Sequence, residues 1–179
     1  MQQFVEFPDI LGEKIPSRKL EWLDDLYAQT NKVVVFTRFL QSANRLIAHY
    51  KTPYSITGET PQEKRLGMVN DFNAKDKGIM ICTDAGKFGI NLTGADTIVH
   101  FGYSYNPAVQ SQREDRLHRI GQTKTVTVFR PYLMHSIDEG IRKVFLTRDA
   151  SIVEFLDASH KMSVAKLSKK EFMKLVWGE

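Results

Sequence analysis

Residues 112–122 read QREDRLHRIGQ, and within them Gln112, Arg116 and Arg119 are the side chains best suited to chemistry on a phosphate. An arginine stays charged and carries five donors in a flat fork that matches phosphate oxygens. On a helix turning about 100° per residue, the three fall within a stripe of roughly 60°. Leu117 and Ile120, with Val109 a turn earlier, point another way and suit a core. Gly121 then offers a helix stop. The same stripe also fits a solvated charged face held by i,i+3 and i,i+4 pairs. His118 reads as a structural hydrogen-bonder rather than a catalytic base.

Such residues need a scaffold, and the rest of the chain supplies an alternating one. Pro16 and Ser17 open a helix to about Thr30, with Leu20, Leu23 and Leu26 on one side and Trp22 as a partly buried packing residue. Lys32–Phe36 (KVVVF) is a β-branched run, the pattern of a strand covered on both faces. A helix from Gln41 to Tyr50 follows, with Ala43, Leu46 and Ile47 inward. Tyr54–Thr57 reads as a short strand turned by Gly58. Thr60 caps a helix that begins at Pro61 and buries Leu66, Val69 and Phe72; Arg65 on it reads as solvated. Ile79–Cys82, Thr97–Phe101 and Val126–Phe129 are further strands. Ser136 with Glu139 forms a capping box ahead of Ile141, Val144 and Phe145. Strands and helices in alternation predict an α/β fold with a mainly parallel sheet of about six strands wrapped by helices. In such sheets ligands gather at the C-terminal ends of the strands. Thr37, Arg38 and Thr83 stand at two of those ends.

Length and composition set the outer bounds. The 179 residues, 42% hydrophobic and 26% charged, fit one globular domain with a real core. Residues 16–157 hold the periodic elements, residues 1–15 read as a lead-in or linker, and residues 158–179 as a basic amphipathic helix or tail. The formal net charge of +4 is compatible with a polyanionic partner. It is concentrated: residues 110–130 hold five basic and two acidic side chains, a local +3. The single Cys82 excludes an internal disulfide, suits a reducing cytoplasmic or nuclear setting, and reads as a small core residue. The first ten residues, with Glu6 and Asp9, do not read as a secretory leader, and no apolar run is long enough to span a membrane. The scattered histidines have no metal-binding spacing.

The segment CTDAGKFGINLTGADTIVHFGYSYNP at residues 82–107, taken with QREDRLHRIGQ, resembles the Swi/Snf-type family of superfamily 2 helicase-like ATPases. The resemblance rests on Thr83, Ala85, Gly86, Gly89, Ile90, Asn91 and Leu92, then Asn106 and Pro107, then Gln112, Arg116, His118, Arg119, Gly121 and Gln122, in order and at the family's spacing. Lys87 stands where the family has Gly, Tyr105 where it has Trp, and Arg113 where it has Ala. Lys87 and Arg113 each add positive charge near a presumed phosphate or DNA surface.

The resemblance implies the second, C-terminal RecA-like lobe, a three-layer αβα unit, of a two-lobe enzyme with ATP between the lobes. It implies that Arg116 and Arg119 are arginine fingers with Gln112 beside them. It places Gly89 and Asn91 on the nucleotide side, and Thr37, Arg38, Thr83 and Lys87 toward double-stranded DNA. For Thr37 the alternative is a residue that merely begins the turn into the next helix; Tyr103 and Tyr105 read as packing aromatics. The chain holds no G-x-x-x-x-G-K-[ST] run and no Asp-Glu pair ending an apolar strand. ATP and Mg²⁺ are therefore expected to be held mainly by an N-terminal lobe, and this chain alone to turn over ATP negligibly. The competing reading is a helicase-derived module that binds nucleic acid or protein without catalysis.

Overall fold

In the computed structural model, residues 2–11, 15–84, 90–102, 106–117 and 121–146 are described. The run KVVVFT forms β1 (Lys32–Thr37) and GIMICT forms β3 (Gly78–Thr83), and every residue of both is buried. With β2 (Ser55–Ile56), β4 (Thr97–His100) and β5 (Thr127–Phe129), they form a sheet of order β2-β3-β1-β4-β5 whose neighbours all run parallel. The described residues thus hold five strands where the pattern predicts about six. β1 and β3 pair in register from Lys32↔Gly78 to Thr37↔Thr83, so the two threonines end side by side.

Alternate residues of each strand enter opposite cores, as a sheet covered on both faces requires. One core joins Val34, Phe36, Met80, Cys82 and Ile98 to Tyr54, Val69, Phe72, Leu92 and Leu117. The other joins Val33, Val35, Ile79, Ile81 and Val99 to Phe7, Leu23, Ala43 and Leu46. The covering helices are α1 (Gln2–Glu6), α2 (Arg18–Gln29), α3 (Leu40–Tyr50), α4 (Gln62–Ala74), α5 (Pro107–Glu114) and α6 (residues 137–146), with a 3₁₀ turn at Pro8–Leu11. Ser17 caps α2, its hydroxyl accepting from the Leu20 amide at 3.1 Å. Trp22 packs edge-on against Phe129, ring centroids 5.7 Å apart.

Several expectations need correction. The stretch read as a lead-in adds α1 and the 3₁₀ turn, and its Glu6 and Phe7 are buried. Leu66 is 65% exposed. Only Val69 and Phe72 of α4 are buried. Thr60 does not cap α4; Pro61 holds the cap position, and the Thr60 hydroxyl ties its own turn by accepting from Thr57 N at 3.0 Å and donating to Ser55 O at 3.1 Å. Arg65 is not simply solvated, since Nε donates to Thr60 O at 2.9 Å and Nη2 to Thr57 O at 3.2 Å. Glu139 accepts from His135 N rather than from the amide of Ser136.

The largest correction concerns the expected helix over residues 112–117, the described part of that stretch. α5 stops at Glu114, capped by Asp115 at φ −58°, ψ −15°, and the chain continues as tight turns, Leu117 N donating to Glu114 O at 2.9 Å. The Arg116 carbonyl has left the helix to accept from Leu92 N at 3.0 Å. That bond fastens the turn to the segment after β3.

Candidate nucleotide and nucleic-acid site

The site is built at the C-terminal ends of β3, β1 and β4. Thr83 ends β3; its hydroxyl is buried and has no hydrogen-bond partner among the described residues. A buried hydroxyl without a partner is uncommon and marks a place where a ligand or another domain can supply one. Arg116 is 6% exposed. Its charge is felt by Cys82, the residue before Thr83: Arg116 and Arg113 both pull that thiol downward, but burial outweighs them and pushes it up to about 12. The thiol is therefore inert core, as its apolar run implies.

Of the expected stripe, Gln112 and Arg116 are among the described residues. Gln112 is exposed on α5 while Arg116 is buried on the turn beyond it. Asn91 is exposed; its carbonyl accepts from Asn73 Nδ2 at 2.8 Å, and Gly94 N donates to Asn73 Oδ1 at 3.1 Å. A Cβ on Gly94 would lie 2.7 Å from the Asn73 Cα, so only glycine permits this approach. The Thr37 hydroxyl is buried; it donates to Glu6 Oε2 at 3.2 Å and accepts from Phe39 N at 3.4 Å. Arg38 is exposed, with its guanidinium 5.9 Å from the Phe39 ring centroid. Lys87, Gly89, His118 and Arg119, the Tyr103 and Tyr105 loop and the basic segment 158–179 lie outside the described residues.

Arg113 is not a surface charge aimed at a polyanion. It is 2% exposed, and its Nε donates to Asp84 Oδ1 at 2.8 Å while Nη2 lies 2.7 Å from the same oxygen. Nη1 is 3.2 Å from His100 Nδ1. A guanidinium can only donate, so Nδ1 accepts and the imidazole carries its proton on Nε2, which donates to Glu114 Oε1 at 2.9 Å. Arg130 also donates to Glu114 Oε1, and its Nε to Gln110 Oε1 at 2.8 Å. Burial is the main reason His100 sits below the usual histidine range, with Arg113 adding to it and Glu114 opposing. For Glu114, burial raises its carboxyl but the bonds from His100 and Arg130 prevail, and it sits below the usual range. Sequence reasoning found Arg113 only as a departure from the family pattern and missed Asp84 and His100, which carry no motif.

The His100 shift has a sign that can be checked. A histidine kept neutral when folded takes up its proton more readily when unfolded, so its contribution is complete above pH 6.5 and declines as pH falls from there. We expect the unfolding midpoint to drop between pH 6.5 and 5, and the drop to be shallower in His100→Gln. Thermal melts across that range, where Glu114 is still ionised, test it.

Among the described residues no three His, Cys, Asp or Glu side chains converge as a metal site. A groove of about 400 Å³ lined by Arg18, Trp22, Phe129 and Tyr132 contains none of the expected site residues.

The family profile described as helicase conserved C-terminal domain matches residues 18–121, and the chain belongs to that family. Within it the chain is a Swi/Snf-type C-terminal lobe with the RecA-like fold. It is 32% identical over 147 residues to the Helicase ssl-1 of Caenorhabditis elegans, covering 76% of this chain and 6% of that protein. It is 36% identical over 149 residues to the chromatin-remodeling ATPase INO80 of Gibberella zeae, covering 78% and 8%. It therefore spans less than a tenth of the length of either relative. Among solved structures, the C-terminal part of the Fun30 ATPase domain superposes with a TM-score of 0.67 at 27% identity, covering 89% of this chain and 51% of that one. The Sulfolobus solfataricus SWI2/SNF2 ATPase core domain shares the fold, with a TM-score of 0.68 at 23% identity, covering 98% and 38%.

Proposed function

We propose that this chain is the C-terminal lobe of a DNA-dependent ATPase and double-stranded DNA translocase, and that it works only with an N-terminal lobe bearing the P-loop. The observation that carries this reading is a buried arginine, Arg116, on the turn after α5 together with a Thr83 hydroxyl that is buried at the end of β3 and has no hydrogen-bond partner among the described residues, in a chain of the helicase C-terminal family. Arg116 and Arg119 act as arginine fingers, with Gln112 as a polar neighbour and Gly89 and Asn91 on the nucleotide side. ATP, held with Mg²⁺ mainly by the other lobe, supplies the γ-phosphoryl group that is passed to water. Arg116, a buried cation, fits a polyphosphate, and the described residues do not offer the carboxylate set a magnesium ion prefers. An arginine delivered by a second domain stabilises charge on the transferring group only when the lobes close, which ties turnover to motion.

Arg38, Thr83 and Lys87 contact DNA phosphates, and Thr37, buried against Glu6, shapes the loop beneath them. Contacts of this kind hold DNA without reading its sequence. The relatives named for chromatin remodelling support a duplex DNA partner and an intracellular, nuclear setting.

The test is ATP hydrolysis by the longer polypeptide, with and without double-stranded DNA, beside the 179-residue chain alone. Duplex DNA is expected to raise turnover of the longer polypeptide, to do so less as salt rises, and the lone chain is expected to show none. A polypeptide that binds DNA without stimulated turnover would instead be a non-catalytic binding module.

A further inference from the structure

Two segments of the site are fastened together at both ends. The segment after β3 begins at Asp84, whose carboxylate is held by Arg113 through contacts of 2.8 and 2.7 Å. It returns at Leu92, whose amide donates to the Arg116 carbonyl at 3.0 Å. Arg113 and Arg116 are one helical turn apart, at the end of α5 and on the turn that follows. Arg113 is also braced from behind, since Nη1 is held by His100 Nδ1 and its guanidinium carbon stands 5.5 Å from the Phe36 ring centroid. His100 in turn holds Glu114, the next residue of α5. A buried fork with two fixed partners has little freedom, so a shift of Asp84 is passed to α5 rather than absorbed.

We propose that Arg113 is a positioning residue that couples the end of β3, with Thr83, to the turn carrying Arg116, so that DNA contact at the first is felt at the second. This rests on the ATPase reading above and adds a regulatory element to the same site. The role of the pair Asp84–Arg113 is to make the two contacts report to each other. Coupling between two sites is a free energy, and here the bond that carries it is named.

The experiment uses the longer polypeptide with Arg113→Met, Asp84→Asn and the double variant. Arg113→Met keeps length and removes the fork; Asp84→Asn is the milder change, because the Asp84 side chain is a quarter exposed. The ratio of DNA-stimulated to basal turnover is expected to fall about fivefold or more in each single variant. Basal turnover and the DNA concentration at half-stimulation should stay near wild type. The double variant should be no worse than either single one, because both remove the same link.

A second readout is independent of turnover. Amide exchange at Leu92 should quicken in Asp84→Asn, because the Leu92–Arg116 bond loses its companion. The proposal is overturned if the stimulation ratio is unchanged, if the two effects add in the double variant, or if Leu92 exchange stays at the wild-type rate. It is also overturned if basal and stimulated turnover fall together with the melting temperature, which is the mark of a merely structural pair. Failure of the underlying reading shows in the wild type alone, as turnover that DNA does not stimulate, and removes this proposal with it.

Discussion

Arg116→Ala and Arg119→Ala are each expected to lower ATP turnover of the longer polypeptide by ~10³ or more while nucleotide binding survives. The effect should be this large because phosphoryl transfer needs little covalent help and depends on positive charge placed on the transferring group. Arg116 is nearly buried, where a charge is screened little and held in one geometry. Its main chain is fixed as well, through the carbonyl bonded to Leu92. Arg116→Lys keeps the charge but loses the fork, and should recover only a small part of the rate. Single-turnover hydrolysis with a separate measurement of nucleotide affinity separates the two roles. A loss confined to affinity would mean that Arg116 holds the ground state, and normal turnover would remove the finger assignment altogether. A fall in melting temperature matching the fall in rate would point to folding instead, since Arg116 sits beside the core residue Cys82.

Where the sequence was legible, the information was local. The run KVVVF can only be a strand covered on both faces, and it is one. Ser17 before a leucine-periodic stretch marks a helix start and caps one. The fold class follows from such segments taken in order. The site was less legible because its geometry is set by bonds between distant residues. α5 ends at Glu114 and the Arg116 carbonyl beyond it is held by the Leu92 amide, a distant bond that nothing in QREDRLHRIGQ signals. Arg113 reads from its neighbours as one more cation on a basic stretch, yet its partner Asp84 lies 29 residues upstream. Thr37 looks open at a strand end until Glu6 is placed, and α1 is too short to show a period. Charged residues are the hardest to place from sequence, because a solvated arginine and a buried, paired one have the same neighbours in the chain.

Lys19→Met should destabilise the lobe by about 3–5 kcal/mol, because it leaves a carboxylate buried without its cation. Lys19 and Asp138 form an ion pair whose side chains are 1% and 0% exposed, and Nζ also donates to the Phe101 carbonyl at 3.1 Å. The pair joins α2 to α6, two elements far apart in sequence, and Phe101 follows β4. For a domain of about 150–250 residues each kcal/mol moves the melting midpoint by roughly 2–4 °C, so the loss should be plain in a thermal scan. Replacing both partners with apolar residues, Lys19→Met with Asp138→Leu, should restore most of it, since the large cost belongs to the orphaned charge and not to the pair. Glu6 adds a pH signature. Its carboxyl is raised by burial and lowered in part by Lys19, so losing Lys19 raises it further. A raised carboxyl contributes stability below its unfolded value near 4.5 and loses it as pH climbs through the folded value. The deficit of Lys19→Met should therefore widen from pH 4.5 upward, and much less so when Glu6→Gln is added. A single variant that melts within about 2 °C of wild type would mean that the buried pair contributes nothing the apolar core could not supply.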